Sequence, residues 1–153
     1  MSSKIYLLVG PKHSGKTTAL QTWSEKKIVS GFLSPKVMGE RFFQLLPSRK
    51  LLTMEAVAGE PSFAVGKYLF SKANFQEAQV HTIENMHTGW MIIDEIGPLE
   101  LGGEGFDVLL KLLLGHYQGN LIIVLREELL EEAIQHYQLQ AAKVIQKEDL
   151  DSL

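Results

Sequence analysis

Val9-Gly10-Pro11-Lys12-His13-Ser14-Gly15-Lys16-Thr17-Thr18, near the start of the chain, has the spacing G-x-x-x-x-G-K-[ST], which suits a loop that wraps an anionic phosphate. Successive backbone N–H groups at a helix N-terminus can ring phosphate oxygens, and glycines at 10 and 15 permit backbone angles that a Cβ resists. Lys16 brings a point charge to the β- and γ-phosphates, and the Thr17 hydroxyl can sit on Mg²⁺. The candidate nucleotide-binding residues are therefore Gly10, Pro11, Lys12, His13, Ser14, Gly15, Lys16, Thr17 and Thr18. A second signal is Trp90-Met91-Ile92-Ile93-Asp94-Glu95, an apolar run ending in two carboxylates. Asp94 can hold Mg²⁺ directly or through water, and Glu95 can orient and deprotonate a water in line with the γ-phosphate. A third candidate is Arg126, whose guanidinium could stabilise transferring phosphoryl oxygens or stack on a base; its competitor is a surface ion pair with Glu127, Glu128, Glu131 or Glu132.

These residues need a scaffold that brings them to one edge. Ile5 to Val9 is a short β-prone run, and Thr17 to Lys27 carries Ala19, Leu20 and Trp23 at helical spacing, so the loop has a strand before it and a helix after it. Ile28 to Leu33 reads as a second strand, followed by a turn through Ser34-Pro35-Lys36 and Gly39. Arg41 to Leu46 and Lys50 to Met54, separated by Pro47-Ser48-Arg49, form an expected antiparallel hairpin. Phe63 to Val65 suggests a short strand, with Tyr68 beside a turn and able to stack on a base. Asn74 is the expected N-cap of a helix to about His87. Trp90 to Ile93 and Leu121 to Leu125 read as buried strands; Phe106 to Leu114, ended by Gly115, and Glu127 to Tyr137 read as helices. Ala142 to Ile145 is an expected edge strand before an acidic tail. In an open α/β sheet ligands lie beyond the carboxyl ends of the strands, which would put Asp94 and Arg126 on the edge that carries the phosphate loop.

Composition narrows the classes. The chain has 153 residues, 45% apolar and 22% charged, with a formal net charge of −3 and no basic run, which argues against nucleic acid as the main partner. There is no cysteine, so disulfides, thiolate zinc sites and a thiol nucleophile are excluded. The five histidines show no i, i+4 pair of the helical zinc kind. The apolar run Leu121 to Leu125 is too short to span a bilayer, and the phosphate loop comes too soon after the N-terminus for a cleavable signal peptide; a cytoplasmic protein is expected. Trp23 and Trp90 read as core residues.

The segment Ile93-Asp94-Glu95-Ile96-Gly97-Pro98-Leu99-Glu100-Leu101, with Phe106 after it, resembles the I-D-E-I-G-K-M-E-L segment of the THEP1-type nucleoside-triphosphatase family. Ser30-Gly31-Phe32 is similar to that family's S/I-G-F strand, and Val65-Gly66-Lys67-Tyr68, with Phe75 beyond, to its V-G-x-Y segment. The resemblance implies the P-loop fold and Mg²⁺-dependent hydrolysis of nucleoside triphosphates with weak base selectivity. It carries over to Gly10, Gly15, Lys16, Thr17, Asp94 and Glu95 in the same roles that their own chemistry suggests. Two segments depart from the family pattern. Its arginine-rich stretch after G-F is shortened here to Leu33 to Phe43, leaving Glu40 and Arg41, and its T-I-P is replaced by Val124-Leu125-Arg126-Glu127.

The expectation is a P-loop NTPase three-layer α/β/α sandwich, a single domain over 1–153 with a mainly parallel sheet and an inserted antiparallel hairpin from about Arg41 to Met54. Its expected activity is Mg²⁺-dependent hydrolysis of triphosphates such as ATP or GTP with broad base tolerance. Lys16, Glu95 and Arg126 are the candidate catalytic residues, and Thr17 and Asp94 the metal ligands. Neither a membrane nor a nucleic acid is expected as a partner, and no protein partner is specified. Two rivals remain open. One is a small-molecule kinase, disfavoured by only three arginines and no lid-sized insertion after Leu101. The other is a nucleotide-binding adaptor resembling the small P-loop proteins of molybdenum-cofactor assembly.

Overall fold

The computed structural model describes residues 4–153. Strand β1 (Ile5–Gly10) leads through the phosphate loop into helix α1 (Lys16–Ser24) and on to β2 (Val29–Leu33). Residues 34–71 then form hairpins from β3 (Lys36–Val37), β4 (Glu40–Leu46), β5 (Leu51–Thr53), β6 (Ser62–Val65) and β7 (Tyr68–Ser71). Helix α2 (Lys72–Glu84), strand β8 (Trp90–Ile93), the short α3 (Pro98–Leu101) and α4 (Asp107–His116) come next. Strand β9 (Asn120–Arg126), helix α5 (Leu130–Tyr137) and β10 (Lys143–Ile145) complete the order, with 3-10 turns at Glu127–Leu129 and Lys147–Ser152.

The main sheet has the order β10-β1-β9-β8-β2-β4-β3, with β5 on β4; β10, β1, β9, β8 and β2 are parallel, and β4 returns antiparallel to β2. Alternation along β1 divides the core. Tyr6 and Leu8 face α1 and the last 3-10 turn, packing with Leu20, Trp23 and Leu150, while Leu7 and Val9 face α2, α4 and α5 with Phe75, Leu109 and Ala133. This is the expected α/β/α sandwich, and both tryptophans pack on the α1 face, their rings 4.9 Å apart. Gly31 explains its own place in the Ser30-Gly31-Phe32 motif. Its φ is +91°, and a Cβ there would run into the Ile92 carbonyl oxygen of β8.

The hairpin expected between Arg41 and Met54 is present as β4 and β5, paired Phe43↔Leu52. Several local expectations give way. The helix expected from Asn74 to His87 runs from Lys72 to Glu84; its N-cap is Ser71, whose hydroxyl accepts the Asn74 N–H, while the Asn74 amide instead donates to the Thr53 carbonyl. Gly115 does not end α4, which continues to His116 and is followed by Tyr117 in extended conformation. Tyr68 begins a strand, paired with Val65 across the tight turn at Gly66 and Lys67. The turn expected after Ser34 is a small hairpin closed by Met38 and Gly39, both with positive φ, as a two-residue connection requires. The acidic tail is packed, because Leu150 is buried against the α1 face. No described helix is long and apolar enough to cross a membrane.

Candidate active site

Parallel pairing fixes which residues emerge together. Gly10 of β1 is in register with Arg126 of β9, Ile93 of β8 with Ile123 of β9, and Phe32 of β2 with Ile93. The phosphate loop, Arg126, Asp94, Glu95 and Ser34 therefore share one edge of the sheet and line one cleft of about 760 Å³. Strand β9 lies between β1 and β8, so the loop and the acidic pair stand two strand spacings apart, about 10 Å. The gap is bridged by Thr17, on the first turn of α1, whose hydroxyl donates to Asp94 Oδ2 at 2.8 Å.

In the loop itself, Gly15 takes φ +88° as the residue before α1, leaving the first helical N–H groups without a side-chain cap. Lys16 folds back on the loop, its Nζ donating to the carbonyls of Gly10 at 3.0 Å and Pro11 at 2.8 Å. Both acceptors belong to the loop itself, so an anion in the loop would compete with them directly for the ammonium. Lys147, in the last 3-10 turn, donates to the Ser14 carbonyl; sequence reasoning missed it, having read the segment as a tail.

Asp94 is 1% exposed, and burial pushes its carboxyl up to about 6 despite hydrogen bonds from the Ser34 N–H and Thr17. The Ser34 N–H lies 2.8 Å from Oδ2, so both donors serve the same oxygen, and Oδ1 is buried with no hydrogen-bond partner among the described residues. A bare, buried carboxylate oxygen beside a threonine hydroxyl is a hard-oxygen donor set that fits Mg²⁺, an ion that takes one or two protein oxygens and fills its octahedron with phosphate and water. No cluster of three or more His, Asp or Glu suited to a metal occurs among the described residues.

Glu95, the next residue, is exposed and held at φ +66°, an unusual angle for a residue with a Cβ. The left-handed step turns the chain sharply at the end of β8, so consecutive carboxylates part company, one buried under the loop and one in the open cleft. The chain beyond Glu95 is pinned by Glu100, 4% exposed, whose two oxygens accept the Gly97 N–H at 2.9 Å and the Phe106 N–H at 3.1 Å. Burial raises its carboxyl above the ordinary value. In the sequence Glu100 stands out only as part of the segment Ile93 to Leu101, and nothing local signals this clasp.

Arg126 is half-buried on the cleft wall and, among the described residues, enters none of the ion pairs, so the expected competitor with the glutamates after it does not form. Arg49 turns away from the cleft to donate to Ser24 Oγ at 2.9 Å. Arg41 and Tyr68 meet at the other end of the cleft, the guanidinium 5.5 Å from the ring centroid.

A family model described as NTPase matches residues 5–152. Among solved structures, the solution structure of a human cancer-related nucleoside triphosphatase is similar with a TM-score of 0.70 and 21% identity, covering 99% of this chain and 95% of that one. The crystal structure of THEP1 from the hyperthermophile Aquifex aeolicus is similar with a TM-score of 0.65 and 19% identity, covering 96% of this chain and 92% of that one. No curated protein matches the sequence.

Proposed function

We propose that this chain, which belongs to the NTPase family, hydrolyses nucleoside triphosphates to the diphosphate and phosphate with Mg²⁺ and with little regard for the base. The observation that carries this reading is the junction of Thr17 and Asp94, where one carboxylate oxygen is satisfied and the other is buried and bare. The backbone N–H groups of residues 13–18 would receive the β-phosphate, and Lys16 would exchange the carbonyls of Gly10 and Pro11 for phosphate oxygens. Thr17 and Asp94 would hold Mg²⁺, which when bound neutralises charge on the β- and γ-oxygens. Glu95 accepts a proton from the attacking water as its oxygen bonds to the γ-phosphorus and the diphosphate leaves. Arg126, level with Gly10 on the neighbouring strand, would stabilise charge on the transferring oxygens.

Phosphate release with Mg²⁺ and each of ATP, GTP, CTP and UTP tests the reading in the wild type and in Lys16→Ala. The wild type is expected to use all four within about tenfold, because affinity drawn mostly from the phosphates and the metal does not depend on the base. Lys16→Ala is expected to lose turnover. Unaltered turnover in that variant sinks the assignment of the loop. A protein that binds Mg²⁺-triphosphate and never releases phosphate favours the adaptor reading.

A further inference from the structure

We propose that the cleft has a second half built for a phosphoryl acceptor: a small anion with a hydroxyl group on a flat, unsaturated ring. The inference rests on the proposed binding of a triphosphate in the loop. Thr17 and Asp94, the residues that would hold the metal, stand on the β8 side of the loop, so a γ-phosphate drawn to them would point toward β8. The nucleophile of an in-line displacement then stands farther on, over β2 and β4. Hydrolysis needs space there only for a water, about 30 Å³. The cleft of about 760 Å³ continues well past Glu95, as far as Arg41, Phe43, Tyr68, Phe75 and Phe106.

That extension is built by residues 34–71, the hairpins inserted between β2 and α2. Six of the seven phenylalanines, all but Phe42, join in one aromatic cluster that runs from Phe32 on β2 through Phe106, Phe43 and Phe75 to Phe63 and Phe70 on the β6–β7 hairpin. The cluster holds that hairpin beside the cleft, where it forms the cover that the sequence after Leu101 lacks. Tyr68 stacks on Phe70 with ring planes 4° apart and has two cations near its ring, Arg41 at 5.5 Å and Lys67 Nζ at 5.4 Å. Among the described residues neither cation is in an ion pair, nor is Lys36 opposite Arg41 on β3. Unpaired like charges around one ring are relieved by an anion, and the aromatic floor takes a flat ring. The acceptor's hydroxyl then faces Glu95, which takes its proton. The hydroxyl oxygen bonds to the γ-phosphorus, the bond to the β–γ bridging oxygen breaks, and the electron pair leaves with the diphosphate. Water in the same place gives hydrolysis.

The experiment traces label from [γ-³²P]ATP with Mg²⁺ in buffer alone, with 4-hydroxybenzoate as the defined probe, and with a protein-free small-molecule extract of cells. Label appearing in an organic phosphate in either of the last two arms is the expected result. It should fall by about tenfold or more in Arg41→Glu, the worth of one charge-assisted contact, with phosphate release in buffer changed by less than about twofold. Lys67→Glu, on the exposed hairpin turn, repeats the test without touching the packed cluster. Label recovered solely as inorganic phosphate in every arm overturns the proposal, as does organic label that survives both substitutions. Hydrolysis in buffer that persists while transfer fails leaves the triphosphatase reading standing, whereas loss of hydrolysis and transfer together counts against both.

Discussion

Two aspartates are almost equally buried, Asp94 at 1% exposure and Asp107 at 3%, yet the protein treats them in opposite ways. Burial opposes the charge of Asp107 too, but the Tyr137 hydroxyl at 2.7 Å, Lys111 at 3.0 Å and His136 at 3.1 Å outweigh it and hold the carboxyl below its ordinary value. At Asp94 burial wins: two donors share Oδ2, Oδ1 has none, and the carboxyl rises to about 6. A carboxylate satisfied on both oxygens by its own chain has no capacity left for a ligand, and its charge belongs to the fold. One left half-satisfied on a cleft edge stores unfavourable charge that a cation can relieve, so its charge belongs to the site.

The largest effect expected lies beside Asp94. Glu95→Gln should preserve Mg²⁺-triphosphate binding and lower kcat by about 10² to 10⁴, the usual worth of a positioned general base. Single-turnover hydrolysis beside equilibrium binding of a fluorescent triphosphate separates the two. Normal turnover would reduce the acidic pair to a strand cap with a metal ligand.

Asp94→Asn should weaken Mg²⁺-nucleotide binding and hydrolysis together, and yet stabilise the nucleotide-free protein. Because the folded carboxyl titrates near 6 and the unfolded one near 3.8, ionised Asp94 lowers stability fully above pH 6, and the penalty fades as pH falls toward 4. The gain should therefore be about 2–3 kcal/mol at pH 8 and close to nothing at pH 4, read from denaturant midpoints at the two pH values. A destabilised variant at pH 8 would mean that the bare oxygen is not a strained one.

For Asp107 the signs reverse. A depressed carboxyl supplies stability above the unfolded pKa and loses it as pH falls through the folded one, so Asp107→Asn should cost about 2 kcal/mol at pH 7 and progressively less below pH 4. Its kcat should stay within about twofold of wild type, since among the described residues no hydrogen bond or ion pair joins Asp107 to the cleft residues proposed to act on phosphate.

The half of this contrast that lies in short segments was legible in the sequence. The phosphate loop and the apolar run ending in Asp94 and Glu95 are local patterns, and a parallel sheet places strand ends on one edge whatever lies between them. Gly15 and Gly31 could be placed in motifs, but only the packing of β2 against β8 shows why position 31 excludes a Cβ. The rest depends on contacts far apart in the chain. Asp107 with Tyr137, 30 residues on, Arg41 with Tyr68, and Lys147 with the loop have no shared period or spacing. The cap of α2 falls at Ser71 rather than Asn74 although both have capping chemistry, because Thr53 on β5 claims the Asn74 amide. Within residues 34–71 the hairpin from Arg41 to Met54 is legible, but its union with the β6–β7 hairpin and the core is not, because the six phenylalanines that join them come from six separate segments.

The smallest effect is the most delicate test of the division between the two regions. The Tyr137 hydroxyl is buried, and burial, then the Asp107 carboxylate, keeps its proton in place far above the usual tyrosine range. It donates to Asp107 at 2.7 Å and also lies 3.4 Å from the Glu100 carbonyl, on the short helix that comes after the acidic pair. Tyr137→Phe removes one donor from Asp107 and leaves His136 and Lys111, so the cost should be about 1 kcal/mol at pH 7. Without that donor the Asp107 carboxyl rises toward its ordinary value, and the acid limb of the stability curve should flatten below pH 4. If the fold and the site are energetically separate, kcat stays within about twofold, because the clasp of Glu100 on Gly97 and Phe106 does not involve the hydroxyl. A kcat reduced by tenfold or more, with stability lowered only as expected, would show that Tyr137 positions α3 for Glu95 and that the network around Asp107 reaches the chemistry after all.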